Sequence, residues 1–242
     1  MCQIGFKSST GTLRENNEDA CFVMPSHDVY VVADGVGGNN AGEIASRSAV
    51  CGIAEYVKEN SIDETIDDNG IYEYFAKCLN SVNRQIYERG QTHEVTRGMA
   101  TTVVIGYIRD KTVYIANVGD SRAYLFRAGV LSQITEDHTY VNELLKSGVI
   151  TTEEAEIHEQ KNVITRAVGA DEEVEADFYR SQLEPEDIVM LCSDGLYGEV
   201  SQDKLEEIIS EKKTMSNMCE ALVEEAIKCG GRDNITVVCL KI

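Results

Sequence analysis

Apolar residues arrive along this chain in short dense runs, and between the runs they recur every three or four positions; the two patterns alternate from end to end. The runs VYVVA (29–33), TTVVIGYI (101–108), TVYIAN (112–117), AYLFR (123–127), VLSQI (130–134), IVMLCS (188–193) and ITVVCLKI (235–242) are short and rich in β-branched and aromatic residues, which predicts strands. Ala128-Gly129 separates two of them by a two-residue turn, so these two should form a hairpin. Phe75, Leu79, Val82 and Ile86 recur at helical steps, and Asn40 with Glu43 can cap a second helix carrying Ala45, Ala49 and Ile53.

Further along, Val141, Leu144 and Leu145 run up to Gly148, and a Thr151 to Glu154 capping box follows. These predict short helices in a mobile insert at about 139–163. Leu205, Ile208 and Ile209, then Met218, Leu222 and Ala226, mark a second helical pair. Two strand blocks and two helix pairs suit a β-sandwich covered by helices on both faces. With only two prolines and no linker-like stretch, residues 1–242 are expected to form one domain.

Charge narrows the partners. The 22 basic residues face 42 acidic ones, a net charge of -20 that repels phosphate backbones and anionic membranes and makes nucleic acid an unsuitable partner. No apolar stretch is long enough to span a membrane, and the first residues lack the apolar core of a signal peptide, so no membrane insertion and a cytoplasmic location are expected. None of the eight cysteines stands in a C-x2-C spacing, and several lie inside apolar runs, which predicts buried, reduced thiols.

The candidate chemistry sits where apolar runs end in aspartate: VYVVAD at Asp34, TVYIANVGD at Asp120 and IVMLCSD at Asp194. A strand rooted in the core holds its terminal carboxylate rigidly, and Gly35 and Gly195 beside two of them permit close approach of backbone or ligand. Asp233, just before the last run, can enter the same site from a neighbouring strand. Oxygen donors without histidine or thiolate partners suit Mg2+ or Mn2+ and are a poor match for zinc. Crowded carboxylates repel one another unless cations stand between them. Arg14, shortly before Glu18 and Asp19, carries a fork of donors suited to phosphate oxygens, although an arginine so close to acids also forms ordinary surface ion pairs. The spacing of Cys78 and Arg84 imitates a cysteine phosphatase, but the residues between contain no glycine and follow a helical period. No nucleophile elbow and no P-loop are present.

With these residues in view, the chain resembles the metal-dependent protein phosphatases, the protein phosphatase 2C family, in its bacterial serine/threonine branch. RENNEDA (14–20), VADGVGG (32–38), MATTVV (99–104), NVGDSRAYLFR (117–127), ITEDHT (134–139), NVITRAVG (162–169), CSDGLYGEV (192–200) and GRDNITVV (231–238) follow the family's order over almost the full length. The resemblance implies an α+β fold, a four-layer α-β-β-α sandwich whose central pair of mainly antiparallel sheets is flanked by helix pairs. It implies two Mn2+ or Mg2+ ions per site, with Asp34 bridging them, Asp194 and Asp233 ligating one, the Gly35 carbonyl serving the other, and Glu18 and Asp19 acting directly or through water. Asp120 matches the aspartate that, with the counterpart of Asp194, holds a third and weaker ion. Arg14 matches the phosphate-binding arginine, Asn234 supports the ligands from behind, and the insert at 139–163 matches a flap, in which His158 either contacts substrate or is a solvated surface histidine.

The implied reaction is hydrolysis of phosphoserine and phosphothreonine in proteins by a water activated between the metals, in line and without a phosphoenzyme. Phosphorylated proteins, a cognate Ser/Thr kinase among them, are the implied partners. Two departures stand out: Val36 replaces the histidine that many eukaryotic members carry after the first Asp-Gly, and Ala100 replaces a usual glycine. The first leaves the leaving-group proton to water at the Asp120 site; the second calls for a small packing adjustment. Alternative readings are a phosphatase dedicated to one regulatory protein, such as an anti-sigma factor antagonist, and an inactive phosphoprotein-binding module.

Overall fold

A computed structural model describes residues 3–37, 41–211 and 213–242. In chain order its strands and helices are β1 (Gln3–Ser9), β2 (Asp19–Met24), β3 (Val29–Val36), α1 (Ala41–Glu59), α2 (Asp68–Thr92), β4 (Ala100–Thr101), β5 (Val103–Arg109), β6 (Thr112–Val118), β7 (Arg122–Arg127), β8 (Val130–Gln133), α3 (Tyr140–Lys146), α4 (Thr152–Glu156), β9 (Asp177–Gln182), β10 (Ile188–Cys192), α5 (Asp194–Tyr197), α6 (Gln202–Ser210), α7 (Met215–Lys228) and β11 (Ile235–Lys241). One sheet has the order β1-β11-β10-β7-β8 and the other β2-β3-β5-β6-β9, with the short β4 paired to the end of β3. Every pairing is antiparallel.

Three apolar layers account for four layers of structure. Tyr30, Val32, Val104, Ile115, Leu191 and Val238 meet between the sheets. Val29, Val31 and Ala33, on the opposite face of β3, pack with Ala45, Ile53, Phe75, Leu79 and Val82 of α1 and α2. Met190, Cys192 and Val237 do the same against Leu205, Met218 and Leu222 of α6 and α7. Because β3 and β10 are covered on both faces, they read as unbroken apolar runs rather than as alternating ones.

All seven strand runs read from the sequence appear, as do the helices predicted on α1, α2, α6 and α7. Ala128 and Gly129 both adopt positive φ, 51° and 89°, as a two-residue turn matched to strand twist requires. The Thr151–Glu154 capping box forms. Asn40, assigned as a cap, and Gly38 lie outside the described residues; Glu43 is in the first turn of α1. Three strands escape the apolar pattern, β1, β2 and β9, and each is at a sheet edge. The seven described cysteines are free, and Cys78, Cys192, Cys219 and Cys239 are buried, but Cys51 and Cys229 are exposed. Residues 140–163 leave the body through a narrow neck, closed by a Thr139–Ile164 bridge and by the Tyr140 amide donating to the Val163 carbonyl at 2.8 Å.

Candidate active site

Register within the second sheet creates the site's central conflict. In the β2–β3 ladder Asp19 is paired directly with Asp34, so two carboxylates face each other on one side of the sheet, where like charges destabilise the pair. The backbone allows neither to move aside. Asp34 donates its amide to Thr102 Oγ1 at 3.0 Å, and its carbonyl accepts from the Thr102 amide and Thr101 Oγ1, both at 2.8 Å. Ser193 Oγ donates to Asp19 Oδ2 at 2.7 Å while accepting the Thr236 amide at 2.9 Å, which ties Asp19 to the other sheet.

Gly35 is needed for a related reason: a Cβ there would overlap the Gly42 carbonyl of α1. A Cβ at Gly195 would overlap the Asn234 carbonyl. Backbones approach this closely on both sides of the cluster, so the Asp-Gly pairs serve packing as well as turning.

Asp194 opens α5 directly after β10, Asp120 follows the end of β6, and Asp233 precedes β11. Asn234 is the brace behind Asp233: its side-chain amide donates to the Thr10 and Asn16 carbonyls at 3.0 and 2.9 Å, and its oxygen accepts the Glu18 amide at 2.7 Å. The loop bearing Arg14 and Glu18 is thereby tied to the start of β11. Arg14 donates to Asp233 Oδ2 at 2.7 Å, so its ion pair is with a carboxylate distant in sequence rather than with its neighbours.

Electrostatics show how unfavourable the crowding of these carboxylates is. Burial pushes the Asp34 carboxyl well above the usual range, and Asp19, Asp194, Asp120 and Asp233 add to the rise. Burial carries Asp19 up to about 7 against the opposing hydrogen bonds of Ser193 and Thr236. Asp120 also reaches about 7, through burial and then Asp194 and Asp137. Asp194 rises through burial and Asp233, and Glu18 through burial, with Arg14 opposing. Asp19 Oδ1 and Asp194 Oδ1 are buried without a hydrogen-bond partner.

A divalent cation answers each of these features, since it supplies the charge that keeps the carboxylates ionised and the partner that the orphaned oxygens lack. The donors are all oxygens, as Mg2+ and Mn2+ require. Among the described residues no three acidic, histidine or cysteine side chains already stand in an ion-caging arrangement. Asp233 is turned towards Arg14.

The cluster opens into a cleft of about 1130 Å³ whose lining includes Arg14, Asp120, Asp194 and Asp233 on one wall and Asn142, Thr152 and Lys161 of the 140–163 segment on the other. His158 does not line it; its ring lies 6.1 Å from that of Tyr140. Val36 is exposed near the cluster and pairs with Ala100, which is buried in β4 without disturbing the ladder. Cys78 is buried within α2, as the helical reading of the Cys78–Arg84 spacing requires. Sequence reasoning missed Ser193, Thr102, Tyr197 and Arg122. All four lie within the quoted motifs, and Ser193 directly precedes Asp194, but nothing local shows that they hold an aspartate.

The family described as Protein phosphatase 2C matches residues 12–230. A serine/threonine phosphatase of Listeria monocytogenes, stp, is 38% identical over 236 residues, 96% of this chain and 93% of its own. The crystal structure of the serine/threonine phosphatase Stp1 from Staphylococcus aureus superposes with a TM-score of 0.92 at 32% identity, covering 100% of this chain and 95% of that one. The catalytic domain of the serine/threonine phosphatase PstP, crystallised with two manganese ions, gives a TM-score of 0.85 at 30% identity, with 99% and 97% covered. The chain therefore belongs to the protein phosphatase 2C family of metal-dependent protein serine/threonine phosphatases.

Proposed function

We propose that the aspartate cluster is the centre at which this chain hydrolyses phosphoserine and phosphothreonine in proteins. The observation that carries the reading is the cross-strand Asp19–Asp34 pair, with the orphaned oxygens of Asp19 and Asp194 beside it, next to the Asp120, Asp194 and Asp233 side chains that line the cleft. Asp34, Asp194 and Asp233, with the Gly35 carbonyl and the nearby Asp19 and Glu18, would hold two Mn2+ or Mg2+ ions, and Asp120 with Asp194 a third. Bound there, the ions supply an activated water for direct in-line attack and neutralise charge on the phosphoryl oxygens.

The chain's own residues do the rest. Arg14, paired with Asp233 here, would offer its donors to the non-bridging phosphate oxygens when Asp233 serves as a ligand. Asn234 keeps the Arg14 loop and Asp233 in register. Val36 has no proton to give, so protonation of the leaving oxygen falls to water on the Asp120 side. The segment 139–163 is read as a flap over the cleft, within one domain spanning residues 1–242. Its His158 would contact substrate only by a movement of that segment.

Phosphoproteins are the substrate class that the family entails; a cognate Ser/Thr kinase as one of them, and a cytoplasmic location, extend the reading. Among the described residues no helix is long and apolar enough to cross a membrane. The relatives' names favour neither a dedicated anti-sigma-antagonist phosphatase nor an inactive phosphoprotein-binding module.

The test is phosphate release from phosphothreonine and phosphotyrosine peptides with Mn2+, with chelator, and with Asp194→Asn. Mn2+-dependent turnover of the phosphothreonine peptide, lost with chelator and in the variant, supports the reading. Chelator-resistant turnover, or none with any metal, refutes it.

A further inference from the structure

Tyr197 lies one helical turn after Asp194 on α5, so both side chains leave the same side of that turn. Its hydroxyl donates to the backbone carbonyl of Asp120 at 2.9 Å. The bond therefore joins the element that presents Asp194 to the loop that presents Asp120. By using the carbonyl it leaves the Asp120 carboxyl facing Asp194 and the cleft.

The ring itself is fixed. The Arg122 guanidinium carbon lies 3.5 Å from the Tyr197 ring centroid, close enough for a strong cation–π contact. Arg122 in turn makes three bonds to the Asp137 carboxylate, at 2.9, 3.1 and 2.6 Å, and a fourth to Tyr124 Oη at 2.9 Å. Gln133 donates to the same carboxylate at 2.9 Å, so the guanidinium has little freedom to slide off the ring.

We propose that Tyr197, braced by Arg122, is a positioning residue that sets the separation of Asp120 and Asp194 and thereby the affinity of the weaker cation held between them. This rests on the reading of Asp120 and Asp194 as that cation's ligands. Tyr197 lines the cleft, but its hydroxyl is engaged by the Asp120 carbonyl, and it acts through that backbone. Without the hydroxyl the Asp120 loop keeps its Ser121–Thr102 side-chain bond of 2.7 Å but loses its tie to α5.

The experiment is Mn2+ titration of the metal-stripped full chain by calorimetry, on wild type, Tyr197→Phe, Arg122→Lys and Asp120→Ala, with half-maximal Mn2+ for phosphothreonine-peptide turnover measured in parallel. Phenylalanine keeps the ring and removes only the hydroxyl. The expected result is two tight sites unchanged in Tyr197→Phe, with the weak site loosened about tenfold, as losing a ligand's support does elsewhere. Half-maximal Mn2+ for turnover should rise with it. Arg122→Lys keeps the charge, breaks the stack, and should loosen the same site less; it also carries the test if Tyr197→Phe does not fold. A weak site lost in Asp120→Ala but unchanged in both other variants overturns the role of Tyr197 and leaves that of Asp120 standing. A weak site unchanged in Asp120→Ala overturns the ligand reading, and the role of Tyr197 with it.

Discussion

The two halves of the carboxylate cluster are held in different ways. Asp19 and Asp34 face each other across a ladder, clamped by Thr101, Thr102 and Ser193. Asp120 and Asp233 sit in loops, the first tied by Tyr197 and the second by Arg14 and Asn234. The ladder half cannot relax its like-charge contact, whereas the loop half can turn a carboxylate towards an arginine, as Asp233 does. On the proposed reading the ladder half is built around a cation and the loop half can adapt to one.

The largest expected effect is in the ladder. Asp34→Asn should lower turnover at saturating Mn2+ by roughly a thousandfold or more, since several kcal/mol of charge stabilisation would depend on the ions it is proposed to anchor. In chelator the same variant should melt higher than wild type, because a buried charge conflict is gone. A lower melting temperature would break the account of the ladder half.

Ser193→Ala should come next. It strips Asp19 and the Thr236 amide of a buried partner, costing about 1–3 kcal/mol in denaturant unfolding. Thr12→Ala, which removes bonds to the Gly230 and Gly231 carbonyls at the more exposed loop side, should cost no more than about 1 kcal/mol. Equal costs would erase the contrast between the halves.

A smaller effect concerns pH. Asp19 and Asp120 titrate near 7 in the folded chain and near their ordinary 3.8 when unfolded. Between those values the folded state binds more protons than the unfolded one, so the unfolding free energy falls as pH rises through the window. Thermal melts in chelator should therefore decline from about pH 4 to pH 7, and Mn2+ should flatten that decline. The smallest effect is expected at His158, which does not line the cleft: His158→Ala should change peptide turnover by less than about twofold.

How much of this was legible follows from burial. Strands β3, β10 and β11 are covered on both faces, so their apolar runs, and the aspartates beside them, stand out. Strands β1, β2 and β9 carry polar residues at the sheet edges, and only fragments of an apolar pattern mark them. Missing β2 hid the Asp19–Asp34 pairing, because register is a property of two strands together. The supports Ser193, Tyr197 and Arg122 were invisible for a similar reason: Ser193 reaches Asp19 across 174 residues and Tyr197 reaches Asp120 across 77. Asn234 was legible by its motif, yet its bonds to Thr10 and Asn16 were not.

The central claim is that the aspartates hold a pair of divalent cations, and anomalous scattering from crystals grown with Mn2+ tests it most directly. The account predicts two strong peaks in the cluster, both within ligand distance of Asp34, with Asp194 and Asp233 on one of them. Peaks confined to other parts of the surface, or a cluster that stays empty at saturating Mn2+, would contradict it.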